Sequence, residues 1–258
     1  MAYVDLNDVR LYYTEDGRTD APALVFTHSL GTSADLWARQ IPALAPYFRI
    51  IRYDTRGHGL SSLPLGDYSF AALADDLTGL LDHLGIAKAH LCGTSMGGMT
   101  VMQAALKRPD LVDRLILCNT AARIGSVESW SARIALVAEQ GLGPLAPSLI
   151  SRWVAEDFLR TDPDHGQMLC DMLRRTADAG YMGNCAALRD GDLRAEMAAI
   201  TAPALVISGT LDLAVSPEQA NGLAASLTKS HHVRMAVAHT SNWEQPETFN
   251  QILLRFLT

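Results

Sequence analysis

The chain has 258 residues, 48% of them hydrophobic and 19% charged, with a formal net charge of −7. That length and apolar content suffice for one sizeable core, the acidic balance argues against a nucleic-acid or anionic-membrane partner, and no stretch approaches the roughly 18 apolar residues of a membrane helix. The first residues, Met1 to Asp8, show neither a basic region nor an apolar signal core, so the sequence predicts a cytoplasmic protein.

Taken in chain order, the pattern is one of alternating strands and helices. Val9 to Thr14 alternates apolar and polar residues like an antiparallel edge strand. Further strands are expected at Ala23 to Thr27, Phe48 to Tyr53, Ala89 to Cys92, Leu115 to Cys118, Ala204 to Ser208 and His232 to Val237. Several of these are apolar on both faces, as in a parallel sheet covered on both sides. Helical periodicity falls between them, at Ala34 to Leu44, Phe70 to Leu84, after Ser95, at Pro217 to Leu227 and at Glu247 to Leu257. The alternation predicts an α/β fold with a mostly parallel sheet flanked by helices. From about Ala121 to Arg194 no strand is expected, only helices at Glu128 to Gln140, Ser148 to Leu159, Gln167 to Ala179 and Tyr181 to Arg189. Residues 121–195 are therefore expected to form a helical lid over the strands' carboxyl ends, inserted into a core of residues 1–120 and 196–258. Cys92, Cys118, Cys170 and Cys185 show no C-x-x-C pairing and read as small hydrophobes rather than disulfides or metal ligands.

Chemistry enters at Gly93-Thr-Ser95-Met-Gly97. A serine between two glycines, with a strand before it and a helix after it, is the pattern of a nucleophile elbow, a sharp turn that exposes the hydroxyl above the sheet edge. A serine needs a histidine base and an acid to orient that base. Of the eight histidines, His239 is placed for the task, in the loop between the last strand and the C-terminal helix. Asp212 follows an apolar strand and precedes His239 in the chain, whereas Asn119, at the alternative acid position, is a neutral amide. Two backbone amides are expected to receive the oxyanion, those of Met96 and Leu30, with His28 ordering the Leu30 loop without titrating in the reaction.

With these residues in place, the chain resembles the α/β-hydrolase family over its whole length. Within that family it is most similar to the 3-oxoadipate enol-lactonases of aromatic catabolism. The segments that carry the resemblance are Thr27 to Gly31, Arg52 to Ser62, Gly93 to Gly98, Cys185 to Arg194 and His239 to Glu244. Thr94 and Thr240 depart from the pattern, which usually has apolar residues there. The resemblance implies Ser95 as nucleophile, Asp212 as acid and His239 as base, acting on a five-membered lactone with an acetate arm, and it implies neither a metal nor an organic cofactor. That arm needs a cation. The lid holds eight arginines against ten acidic residues; Arg133 and Arg189 are the candidates by local pattern, with Trp130 and Trp153 as pocket walls. A general carboxylesterase, a carbon-carbon bond hydrolase of the same fold and a non-enzymatic ligand receptor built on the same scaffold remain alternatives.

Overall fold

The computed structural model describes residues 2–258. It begins with a hairpin, β1 (Ala2–Leu6) and β2 (Val9–Gly17), turned at Asn7 with a φ of 46°. Then come β3 (Ala23–Thr27), a 3-10 turn over Ala34–Gln40 leading into α1 (Ile41–Leu44), β4 (Arg49–Tyr53), α2 (Phe70–His83), β5 (Ala89–Thr94), α3 (Met96–Lys107) and β6 (Val112–Cys118). Five helices follow without a strand between them: α4 (Val127–Gln140), α5 (Leu142–Trp153), α6 (Glu156–Thr161), α7 (Pro163–Arg175) and α8 (Asp178–Asp190). The chain returns to the sheet with β7 (Ala204–Gly209), α9 (Pro217–Ser226) and β8 (Ser230–Met235), and ends with α10 (Ser241–Glu244) and α11 (Pro246–Leu257).

The strand order is β1-β2-β4-β3-β5-β6-β7-β8, with the β1/β2 and β2/β4 pairs antiparallel and the rest parallel. Every residue of β3, β5 and β7 is buried, which is why these segments read as unbroken apolar runs. β2 instead alternates in burial along its first residues. It is antiparallel as expected, but β1 rather than β2 forms the edge; β1 buries only Val4 in full and so carries little apolar signal of its own. Helix starts follow local chemistry. Ser69 accepts the Ala72 N–H at the head of α2, and Ser126 and Ser216 form reciprocal capping boxes with Ser129 and Gln219 at the heads of α4 and α9. α2 buries Leu73, Leu77, Leu80 and Leu81 on one face, each side chain contributing roughly 2 kcal/mol by removal from water. Among the described residues no helix is long and apolar enough to cross a membrane.

Candidate active site

Ser95 sits between β5 and α3 with φ 54° and ψ −119°, a conformation rare for a residue with a side chain. Such a backbone costs on the order of 1 to 3 kcal/mol and persists only when its surroundings enforce it. Here the Ser95 N–H donates to Cys118 C=O at 3.0 Å, and the Ser95 carbonyl accepts the Thr120 hydroxyl at 2.7 Å and the Gly98 N–H at 2.9 Å. The glycines are obligatory for a separate reason. A Cβ on Gly93 would lie 2.2 Å from the Gly97 carbonyl oxygen, and one on Gly97 would lie 2.4 Å from that of Thr27.

The strand ends on either side bring up the other groups. Asp212, three residues beyond β7, and His239, four beyond β8, are both buried and joined by a 2.8 Å hydrogen bond from His239 Nδ1 to Asp212 Oδ2. Asp212 Oδ1 accepts the Ala214 and Val215 N–H groups at 2.8 and 2.9 Å. Burial alone would raise the Asp212 pKa, but the adjacent His239 and these backbone donors outweigh it and hold the carboxyl below its ordinary value. The aspartate is therefore an anion at neutral pH, aimed at the imidazole. Asn119 is more than a bystander at the alternative acid position. Its amide donates to Asp212 Oδ2 at 3.1 Å and to Ala238 C=O at 3.0 Å, while its own oxygen accepts the Ser241 hydroxyl at 2.6 Å. Sequence reasoning missed this role; its available signal was an asparagine directly after a core strand, a residue type that tolerates the left-handed φ of 46° found here.

The Leu30 and Met96 N–H groups donate to no other protein group among the described residues. The Leu30 loop is fixed by two histidines. His58 Nε2 accepts the Gly31 N–H at 2.8 Å, and His28 Nε2 accepts the Thr55 N–H at 2.9 Å, so each loop is tied by a ring carried on the other. A ring nitrogen that accepts an N–H carries no proton, which makes both imidazoles neutral. Burial, with His28 close by, pushes His58 down to about 3, and burial also lowers His28.

Ser95 and His239 open onto one cavity of about 170 Å³, without a direct hydrogen bond between them. Leu30, Trp130, Arg133 and Trp153 line it too. Trp130 is pinned by a 2.6 Å hydrogen bond from its indole N–H to Ile124 C=O, and the Trp153 ring lies 6.4 Å from that of His239. Arg189 does not line the cavity. Its guanidinium is held outside by Asp67 at 3.0 Å and Asp190 at 2.7 Å. Arg152, which the sequence did not single out, does line it. Arg133 donates only to the Tyr181 hydroxyl and Arg152 only to Leu213 C=O, so neither has a carboxylate partner among the described residues. By contrast Arg123, Arg160, Arg174 and Arg194 are all ion-paired, and Arg175 faces a different groove. Among the described residues no cluster of His, Cys, Asp and Glu side chains is arranged to hold a metal ion.

Comparison with known proteins identifies the family. The family model described as alpha/beta hydrolase fold matches residues 22–246. The chain is 40% identical to 3-oxoadipate enol-lactonase 2 of Acinetobacter baylyi over 94% of this chain and 91% of that one. The crystal structure of the enol-lactonase from Burkholderia xenovorans LB400 superimposes with a TM-score of 0.97 at 41% identity, covering 99% of each chain. A thermophilic esterase from Thermogutta terrifontis, solved with malate bound, gives a TM-score of 0.91 at 30% identity over 96% of this chain and 93% of that one. With a mostly parallel sheet, a strained serine at the β5–α3 turn and a family model spanning most of its length, the chain belongs to the α/β-hydrolase fold family.

Proposed function

We propose that this protein is a serine hydrolase that opens the ring of 3-oxoadipate enol-lactone to give 3-oxoadipate. One observation carries the reading beyond the family: Ser95 and His239 share their cavity lining with Arg133, half-buried, and Arg152, exposed, neither of which pairs with a carboxylate among the described residues. An unpaired cation facing a small cavity is suited to the free carboxylate of a substrate arm, which a guanidinium binds through two parallel N–H bonds. The cavity is also small. Drug-sized sites span roughly 300 to 1000 Å³, and about 170 Å³ favours a compact ring over a long acyl chain. The enol-lactonase relatives support the same substrate.

In this reading His239 takes the Ser95 proton as Oγ bonds to the ring carbonyl carbon, and the oxyanion accepts the N–H groups of Leu30 and Met96. Asp212 steadies the imidazolium that results. Collapse breaks the ring C–O bond and expels an enolate, a weaker base than an alkoxide, which takes the proton from His239 and tautomerises to the ketone, leaving the imidazole neutral. Water, deprotonated by His239, then cleaves the acyl-enzyme and returns the proton to Ser95. The helices between residues 121 and 195 act as a cap that supplies the arginines and tryptophans. Four cysteines without a disulfide, two with sulfurs 4.0 Å apart yet unbonded, fit a reducing cytoplasm.

The test is kcat/KM on the enol-lactone against phenyl acetate. A preference of roughly a hundredfold or more for the lactone is expected if binding and orientation of the arm are both used. Preference for the neutral ester would instead mark a general carboxylesterase, the activity that the Thermogutta relative's description suggests.

A further inference from the structure

The reaction above uses only His239 of the segment His239-Thr-Ser-Asn-Trp-Glu244. The far end of that segment folds back on its beginning. The Glu244 carboxylate accepts the Ala238 N–H with both oxygens, at 3.0 and 3.2 Å, the Thr240 hydroxyl at 3.3 Å and the Ala155 N–H at 3.2 Å. Ala238 and Thr240 are the residues on either side of His239. Ala155 lies in the turn between α5 and α6, two residues from Trp153. The Trp153 carbonyl completes the grip from the other side, accepting the His239 N–H at 2.9 Å and sharing with Glu244 the single Thr240 hydroxyl proton, also at 3.3 Å.

Among the described residues no arginine, lysine or histidine pairs with Glu244, so its charge is offset by these donors alone. Burial accordingly raises its pKa, although the hydrogen bonds work against the rise. A partly buried carboxylate without a counter-ion is a costly choice for mere packing. Its chemistry fits the donor set, because an ionised carboxylate accepts with both oxygens, whereas a glutamine would turn an NH₂ group toward a backbone N–H.

We propose that Glu244 is a positioning residue for His239, locking the loop that carries the base to the inserted helices that wall the cavity. The proposal rests on His239 being the base. Releasing the lock lets the imidazole drift relative to Ser95 while Arg133, on α4, stays as it is. Turnover should therefore suffer and binding should not.

The experiment is Glu244→Gln assayed on phenyl acetate, so that the outcome does not depend on which lactone is natural. The expected result is a fall in kcat of roughly 10- to 100-fold with KM little changed, the scale of loss that small misplacement of a reacting group produces. Thr240→Val, which removes one donor, should lower kcat in the same direction by less. In a His239→Ala background, Glu244→Gln should add almost nothing, because a positioning residue has no effect once its client is gone. The proposal is overturned if kcat is unchanged in soluble Glu244→Gln, or if the loss is equally large in the His239→Ala background. Should Glu244→Gln fail to fold, Thr240→Val decides: an unchanged kcat overturns the proposal and a selective kcat loss supports it. A His239→Ala variant that keeps wild-type turnover would overturn the His239 reading instead, which keeps the two failures distinct.

Discussion

The proposed reactive groups on the sheet side of the cavity are each held by several hydrogen bonds, whereas the arginines on the helical side have one each. Ser95 is fixed by donors and acceptors from Cys118, Gly98 and Thr120, Asp212 by two consecutive N–H groups, and the Leu30 loop by buried ring nitrogens. Arg133 and Arg152 are instead long side chains reaching in from α4 and α5, each with one neutral acceptor. The contrast separates two jobs. Bond-making requires groups placed to within a fraction of an ångström, whereas gripping a charged arm tolerates a flexible stem. Substitutions on the sheet side should therefore act on kcat, and those on the helical side on KM for charged substrates.

The largest expected break is Ser95→Ala, which removes the proposed nucleophile and should lower turnover by roughly four to six orders of magnitude with the fold intact. Retention of a tenth of wild-type activity in rigorously purified variant would end the nucleophile reading. Next is Asp212→Asn. Loss of the anion and of the tautomer it enforces should cost roughly three to four orders of magnitude in kcat. Asn119→Ala, which removes one of the donors holding Asp212, should cost only about tenfold, in line with the loss of one hydrogen bond to a charged group. Equal losses at the two positions would mean that Asp212 is not the acid.

On the helical side, Arg133→Ala and Arg152→Ala should each raise KM for the enol-lactone roughly ten- to a hundredfold, the equivalent of a charge-assisted bond of about 1.5 to 3 kcal/mol. Arg189→Ala should leave KM where it was, since that side chain pairs with Asp67 and Asp190 outside the cavity. A KM defect at Arg189 with none at Arg133 would reverse the assignment.

The sheet side was also the more legible side in the sequence. A nucleophile elbow is a short local pattern with obligatory glycines, and the acid and base lie at strand ends that announce themselves as apolar runs, so Ser95, Asp212 and His239 could be brought together before any coordinates. The helical side offers no such rule. Arg160, Arg174, Arg189 and Arg194 pair with acids one to three residues away, whereas Arg152 does not pair with Glu156 four residues on, and it and Arg133 are distinguished only by how α4 and α5 pack. β1 carries little sequence signal because it buries only Val4 in full, and Asn119, a neutral amide that cannot serve as the acid, is nonetheless a donor to Asp212.

The smallest expected effect concerns stability rather than turnover. His58, and with it His28, is buried neutral, so the folded state resists a proton that the unfolded chain accepts below its ordinary value of 6.5. Stability from this pair is fully present above 6.5 and declines as pH falls toward the folded value of about 3. Between 6.5 and about pH 5 the loss should be about 1.5 kcal/mol for His58 alone, measured by urea unfolding at the two pH values. A His58→Gln variant, whose side-chain oxygen can still accept the Gly31 N–H, should show a shallower decline, and an unchanged slope would remove His58 as its source.

The most direct test of the central claim changes the substrate rather than the protein. The enol-lactone and its methyl ester share the ring, the scissile bond and nearly the same size, and differ in the charge that Arg133 and Arg152 are placed to meet. Wild-type enzyme should show a kcat/KM for the free acid roughly ten- to a hundredfold above that for the methyl ester, with the gap closing in Arg133→Ala. Equal rates on acid and ester in the wild type would contradict the account, because the unpaired guanidiniums of the cavity would then have no part in choosing the substrate.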